Sequence, residues 1–170
     1  NNMRDKTVPK ITSPKNIETG YAKFSFFPDF ERFNMTKIED DMMKLFERRV
    51  YDVCACTNNN VMVYFNNTKL TIKNFEKYVD MFIGNKKDIA RVFEKTDRWE
   101  VCVCHTNDSF KHVSFVNGID TSQGGTHVDY ITKQLVSKIS EKMAEKVKGI
   151  TIKPNFIKDH LFVLVKATLE

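Results

Sequence analysis

The residues best suited to chemistry in this sequence are four cysteines in two Cys-x-Cys pairs, with two histidines near the second pair. They are Cys54, Cys56, Cys102, Cys104, His105 and His112. Four thiolates could hold zinc, but structural zinc sites space their ligands by two or more residues so that the backbone can turn around the metal. In a strand, a Cys-x-Cys pair instead places two small apolar side chains on one face. We therefore expect no metal site.

Without a secretory signal we also expect no disulfides, and hence a reduced, intracellular protein.

A second candidate is the Gly124-Gly125 pair, which precedes a predicted helix. A helix N-terminus attracts anions, although two glycines in this position more often form only a tight turn. Thr126 is the candidate N-cap of this helix. His127, at its start, is more often a hydrogen-bonding surface group than a catalyst. The sequence contains no Walker A loop, G-x-S-x-G elbow or H-E-x-x-H pattern.

These residues must be positioned by a domain that the hydrophobic pattern assigns to the α+β class. Helices are predicted from the Thr36/Glu39 capping box to about residue 56, from Asn74 to Ile83, and from about His127 to Lys148. The predicted strands are Tyr21–Phe27, Val61–Phe65, Leu70–Ile72, Arg98–His105, Lys111–Asn117 and Leu161–Leu169. Within this set, Arg98–His105 and Lys111–Asn117 are expected to pair as an antiparallel hairpin.

Composition limits the function only broadly. Hydrophobic residues make up 41% and charged residues 29% of the 170 residues, as in a soluble globular protein. No apolar run approaches the roughly 20 residues that span a bilayer, so no membrane partner is expected. The net charge of +5 fits a polyanionic partner without requiring one. Arg48 and Arg49 could meet phosphate, but on an amphipathic helix one of them is expected to pair with a nearby carboxylate.

The stretch from Ser114 to Tyr130, SFVNGIDTSQGGTHVDY, closely resembles the transducer signature of type IIA DNA topoisomerases, S-F-x-N-x-I-x-T-x-x-G-G-x-H. Further segments resemble the eukaryotic branch in order, including RRVYD at 48–52, RWEV at 98–101 and IKDHL at 157–161. The resemblance covers nearly the whole chain. The residues that carry the signature are Ser114, Phe115, Asn117, Ile119, Thr121, Gly124, Gly125, Thr126 and His127.

The resemblance implies a ribosomal-protein-like transducer fold, with a mixed sheet packed against helices and a left-handed βαβ crossover. Residues 1–20 would be a connector or the trailing edge of an ATP-binding domain. Residues 21–170 would be a transducer domain truncated before the Gln-Thr-Lys loop, which would lie beyond Glu170. In the family, this domain relays ATP binding and hydrolysis to the DNA-cleavage core during double-strand passage.

The resemblance also implies partners and cofactors. The parent enzyme would be a homodimeric, nuclear or organellar isomerase that acts on double-stranded DNA with ATP and Mg²⁺. This segment would contact the ATP-binding domain and the cleavage core of its own chain. We expect it to contain no catalytic or cofactor-binding residue and to be inactive alone. The alternative is a free-standing nucleic-acid-binding module of similar fold.

Relatives carry a lysine-rich, DNA-facing loop after the long helix. In this sequence the run of three lysines aligns with Ala144, Glu145 and Lys146, so two of its lysines are absent, and Lys142, Lys146 and Lys148 remain nearby. The alternative is a solvated helix end whose lysines complement the helix dipole. Any DNA contact here should be directed at phosphates and blind to base sequence.

Overall fold

The computed structural model describes residues 6–13, 20–147 and 152–170, in two compact units, 1–43 and 44–170. In the first unit, a 3-10 helix spans Glu31–Phe33. The predicted strand Tyr21–Phe27 is wrong, because these residues belong to neither a helix nor a strand. Their aromatic side chains are exposed, with Phe24 at 92%. No other strand in the described ranges pairs with them, so a β conformation would leave the backbone groups unpaired.

The described residues form seven strands and four α-helices, more than the sequence predicted. In chain order they are α1 Asp40–Cys56, β1 Tyr64–Phe65, β2 Thr68–Lys69, α2 Phe75–Ile83, β3 Arg91–Lys95, β4 Trp99–His105, β5 Lys111–Val116, β6 Ile119–Asp120, α3 Thr126–Lys146, α4 Pro154–Asp159 and β7 Leu161–Ala167. The sequence pattern did not predict strands β3 and β6 or helix α4. None of the described helices is long and apolar enough to cross a bilayer.

Strand β7 occupies the centre of a five-stranded sheet with the order β3-β4-β7-β5-β6. It pairs antiparallel with β4, where Cys102 faces Leu164, and parallel with β5, where Ser114 faces Val165. The predicted β4–β5 hairpin is therefore wrong, because β7 lies between the two strands. An almost continuously apolar strand is most stable where both its faces are buried, and the middle of the sheet provides that position.

The sheet has helices on both faces, which confirms the α+β class with a mixed sheet packed against helices. Alternate residues of β7 point to opposite faces. Val163 and Val165 pack with Leu135 and Ile139 of α3. On the other face, residues of β4, β5 and β7 pack with α2 and the end of α1: Ala55, Phe75, Tyr78, Val79, Ile83, Cys102, Cys104, Val113, Phe115 and Leu164.

Local sequence signals set several element boundaries. Asn74 caps α2, its Oδ1 accepting a hydrogen bond from the Lys77 N–H at 2.8 Å. Asn66 and Asn67 turn the β1–β2 hairpin with φ of 47° and 63°, as predicted. Helix α1 begins at Asp40, not directly after Thr36, and the Glu39 carbonyl accepts the Met43 N–H.

Candidate functional site

A chain of hydrogen bonds joins three signature residues on three elements. Ser114 Oγ, fully buried on β5, lies 2.7 Å from Thr121 Oγ1 and 3.0 Å from the Thr121 carbonyl oxygen. Thr121 Oγ1 lies 3.1 Å from Nε2 of His127, in the first turn of α3. Thr121, just after β6, thus links β5 to the beginning of the long helix. His127 does form a hydrogen bond, as expected, but its exposure of 7% places it inside the fold rather than on the surface.

Gly124 and Gly125 provide space for two imidazole rings. Both have positive φ, 78° and 147°, which disfavours any residue with a side chain. A Cβ at Gly124 would lie 3.3 Å from Nε2 of His112, and one at Gly125 would lie 3.1 Å from the His127 ring. The rings therefore lie against the two glycines, in positions where a side chain on either glycine would press against them. The tight-turn interpretation is the one that the geometry supports.

The N-terminus of α3 differs in detail from the sequence prediction. Gly125, not Thr126, is the N-cap residue, and no side chain caps the helix. The Gly125 carbonyl accepts the N–H groups of Val128 and Asp129. The positive φ of Gly125, 147°, sets the direction in which the chain enters α3. A threonine in place of Gly125 would be strained at this φ.

Burial lowers the pKa of His127 below its ordinary value of 6.5, and the nearby His112 lowers it further, while Asp129 opposes the shift. The buried Nδ1 atom of His112 has no hydrogen-bond partner within the described residues. The His127 ring therefore lies where added positive charge is unfavourable, beside the positive end of a helix dipole. His112 is a member of this site that the signature does not contain.

The turn between β5 and β6 is tied to the end of β7. Asn117 adopts a left-handed φ of 51°. Its Nδ2 donates to the Leu169 carbonyl at 2.9 Å, and its Oδ1 accepts from the Leu169 N–H at 2.8 Å. The Asn117 N–H also donates to the Ala167 carbonyl at 2.9 Å. One asparagine thereby joins the signature turn to the residues that follow the central strand.

The remaining signature side chains have unlike environments. Phe115 is fully buried and makes edge-to-face contacts with Phe75 and Tyr78 of α2. Ile119, by contrast, is 70% exposed on the edge strand β6. The signature therefore contains core, hydrogen-bonding and surface positions, and its sequence alone does not distinguish them.

Arg49 connects α1 to the signature region. It lies 2.8 Å from both Asp52 of the same helix and Asp120 of β6. Asp52 is 6% exposed and also accepts a hydrogen bond of 2.6 Å from the Tyr78 hydroxyl. Burial and this carboxylate raise the pKa of Tyr78 well above its ordinary range. The expected arginine–carboxylate pair is thus present, and the second arginine, Arg48, lies over the Phe82 ring at 5.5 Å.

Three of the four cysteines are buried, and Cys56 is half-buried. Cys102 and Cys104 share the α2-facing side of β4, as the sequence indicated, and are buried with their thiols free. Burial raises the pKa of Cys102 to about 11 and that of Cys56 to about 11. Thiols with such values remain protonated near neutral pH, which makes them weak nucleophiles and weak metal ligands.

Comparison with known proteins identifies the family. A sequence profile described as DNA gyrase B matches residues 56–170. The chain is 43% identical over 174 residues to the "Probable DNA topoisomerase 2" of Dictyostelium discoideum and 40% identical over 177 residues to DNA topoisomerase 2 of Arabidopsis thaliana. Each alignment covers 100% of this chain.

The chain belongs to the DNA gyrase B family. Its relatives within that family are DNA topoisomerase 2 proteins, as the resemblance implied. These relatives are much longer, since the chain spans 11% and 12% of the two that are named above.

The fold agrees with solved topoisomerase II structures. The ATPase region of topoisomerase II from Saccharomyces cerevisiae has a TM-score of 0.73 and 36% identity, over 82% of this chain and 36% of that one. The ATPase and transducer domains of DNA topoisomerase II from Balamuthia mandrillaris give a TM-score of 0.74 and 32% identity, over 84% and 40% of the two chains. The 43K ATPase domain of Thermus thermophilus gyrase B, at 17% identity, shares the fold alone.

The candidate DNA-facing residues of this topoisomerase family member lie on the last turns of α3, since the helix continues to Lys146. Four of these residues are exposed: Lys142, Ala144, Glu145 and Lys146. The fifth, Lys148, lies outside the described residues. In the part of the chain that the structure describes, neither Lys142 nor Lys146 forms an ion pair, whereas Lys138 is held by Glu141 at 2.8 Å. Their contact with DNA remains a prediction.

Proposed function

We propose that this chain is the transducer segment of an ATP-dependent type II DNA topoisomerase. In this proposal, residues 21–170 relay ATP binding and hydrolysis to a DNA-cleavage core during double-strand passage, and residues 1–20 join them to an ATP-binding domain. The chain itself carries no catalytic residue for the reaction. Its contribution is mechanical, and the activity belongs to the complete isomerase.

The observation that carries the proposal is the set of hydrogen bonds around the signature. Ser114, Thr121 and His127 join β5, the residue after β6 and α3, while Asn117 joins the same turn to Leu169 beyond the central strand. A displacement applied at the end of β7 would therefore reach the N-terminus of α3 through hydrogen-bonded side chains on a packed sheet. Such a rigid path suits an element that passes motion between two neighbouring domains.

The proposed partners follow from the same assignment. The expected partners are double-stranded DNA, the ATP-binding domain and cleavage core of the same chain, and a second copy in a homodimer. The expected location is the nucleus. ATP and Mg²⁺ would serve the complete enzyme. We assign neither of them to the described residues.

A coupling experiment tests the proposal in the full-length enzyme. Asn117→Ala should leave DNA-stimulated ATP hydrolysis within about twofold of the wild type and reduce supercoil relaxation per ATP hydrolysed by at least about fivefold, as expected when a coupling bond is removed. Asn66→Ala is the matched control, because Asn66 has a similar φ of 47° but lies in the exposed β1–β2 turn. Equal relaxation per ATP in both variants would argue against a relay through Asn117.

A further inference from the structure

A polar cavity of about 350 Å³ lies apart from the signature residues. It is surrounded by the end of α1, the residue that caps α2, the last residue of β3, the start of β4 and the end of β7. Its lining includes Asn58, Asn74, Lys95, Glu100 and Lys166. Nothing in the proposed relay uses these side chains.

The charged groups of this cavity do not balance. Glu100 is 8% exposed, and its Oε1 lies 2.8 Å from the ammonium group of Lys166 and 3.5 Å from that of Lys95. Two cations thus share one carboxylate, which leaves a net charge of +1 among the described lining residues. Lys166 makes the shorter contact with Glu100 and Lys95 the longer one. An ammonium group has three donors, so the Lys95 ammonium group retains donors for a second anion.

The two asparagines add hydrogen-bond donors to this charge. Asn58 Oδ1 accepts the Asn60 N–H at 3.0 Å, and Asn74 Oδ1 accepts the Lys77 N–H at 2.8 Å. These bonds fix the orientation of both amides. Within the described residues, neither side-chain amino group has a partner, and an amide nitrogen can only donate. The amino groups are therefore the donors that the two asparagines can offer a ligand.

Neighbouring acidic groups are already committed to other partners. Cys56 lies on the cavity wall, and Asp52 and Asp120 are near it. Both aspartates bind the guanidinium group of Arg49 at 2.8 Å. Asp52 also accepts the Tyr78 hydroxyl. Because burial raises the pKa of Cys56 to about 11, its thiol contributes no negative charge. The cavity consequently presents two ammonium groups and two amide donors against the single carboxylate of Glu100.

We propose that this cavity binds a small oxyanion, a phosphate or a carboxylate group, through Lys95, Lys166, Asn58 and Asn74. Ionised acceptors form the stronger class of hydrogen bonds with such donors. The ligand could be free in solution or could be carried by an acidic side chain of another protein segment. The proposal stands without the relay function, since it depends only on this cavity.

The test is a titration of the 170-residue chain with inorganic phosphate at constant ionic strength, followed by NMR of the side-chain amides and lysine ammonium groups. We expect saturable shifts confined to the four named residues. A parallel titration with acetate distinguishes the two kinds of anion: tighter binding of phosphate indicates a phosphate ligand, and binding of acetate at least as tight as that of phosphate indicates a carboxylate. Shifts that do not saturate, or that spread over the surface lysines, would overturn the proposal.

The decisive variants preserve the fold while removing donors. Asn58→Asp and Asn74→Asp retain the oxygen that accepts from the backbone, and Asp caps a helix as well as Asn does, but each replaces a donor by a negative charge. Together they should weaken phosphate binding at least about tenfold without lowering thermal stability, since charge-assisted bonds are removed. Unchanged binding in this double variant would contradict the site.

Lysine variants provide the matched control. Lys95→Gln should also weaken binding at least about tenfold, whereas Lys77→Gln should leave it unchanged. The two lysines are 65% and 66% exposed, and each lies near one carboxylate. An equal loss of phosphate affinity in both variants would mean that the anion binds nonspecifically to positive surface charge. The cavity would then not be an oxyanion site.

Discussion

Asn117 and Leu169 exchange two hydrogen bonds across 52 residues of sequence, through the side-chain amide of one and the backbone of the other. The amide satisfies both backbone polar groups of Leu169 just after the central strand ends. Without this asparagine, those groups would depend on water. This side chain, together with the Asn117 N–H that donates to Ala167, ties the turn of the signature to the residues at the end of β7.

Removing this amide should lower the free energy of unfolding. Asn117→Ala and Asn66→Ala place alanine at similar positive φ values of 51° and 47°, so the backbone strain should be similar in both. We expect Asn117→Ala to be less stable than Asn66→Ala by about 1 kcal/mol, because exposed hydrogen bonds contribute about that much. Urea unfolding measures the difference. Equal stabilities would show that the hydrogen bonds to Leu169 contribute nothing.

The glycines of the signature turn should tolerate alanine poorly. Gly124→Ala combines a φ of 78° with a Cβ 3.3 Å from His112, whereas Gly84→Ala has the same φ with no atom within 4 Å. Gly20→Ala has open space around its Cβ and no positive φ. We expect almost no loss for Gly20, about 1 kcal/mol for Gly84 and clearly more for Gly124, by thermal or urea unfolding. If Gly124→Ala cost no more than Gly84→Ala, the His112 ring would not be tightly packed there.

Stability should depend on pH through His127. Its folded pKa lies below the ordinary value of 6.5, so the unfolded chain takes up a proton that the folded protein resists. As the pH falls below about 6.5, protonation of His127 in the unfolded chain should lower the free energy of unfolding. This decrease should end once the pH is below the pKa of His127 in the folded protein. His127→Gln should reduce that slope. Histidine titration by NMR would contradict the prediction if His127 had a pKa above 6.5.

The end of α3 provides a test of DNA binding. In the full-length enzyme, Lys142→Ala together with Lys146→Ala should weaken DNA binding and reduce the salt slope by about 0.9 for each DNA phosphate that these lysines neutralise. Adding Lys148→Ala should extend the effect. Lys77→Ala with Lys111→Ala is the control pair, because those lysines already face Asp80 and Asp108. An unchanged slope in the α3 variant would favour a solvated helix end.

Local sequence patterns determined the elements whose signals lie within a few residues. The cap of α2 follows from Asn74, the hairpin turn from Asn66 and Asn67, and the body of α3 from its helical apolar spacing. The apolar run at Leu161–Leu169 predicted a buried strand, observed at Leu161–Ala167, and the signature indicated the family. In each case, the residues that decide the structure are neighbours in sequence or at a fixed local spacing.

Tertiary structure alone decided which distant segments meet. The apolar run indicates that both faces of β7 are buried, but it does not indicate that β4 and β5 are the strands on either side. The meeting of His112 with Gly124 and the exchange between Asn117 and Leu169 likewise need the completed sheet. The donor-rich cavity exists because Glu100, Lys95 and Lys166 come together from three strands. Such arrangements form only when the chain folds, since the residues that meet are brought together by the pairing of whole strands and not by their neighbours in sequence.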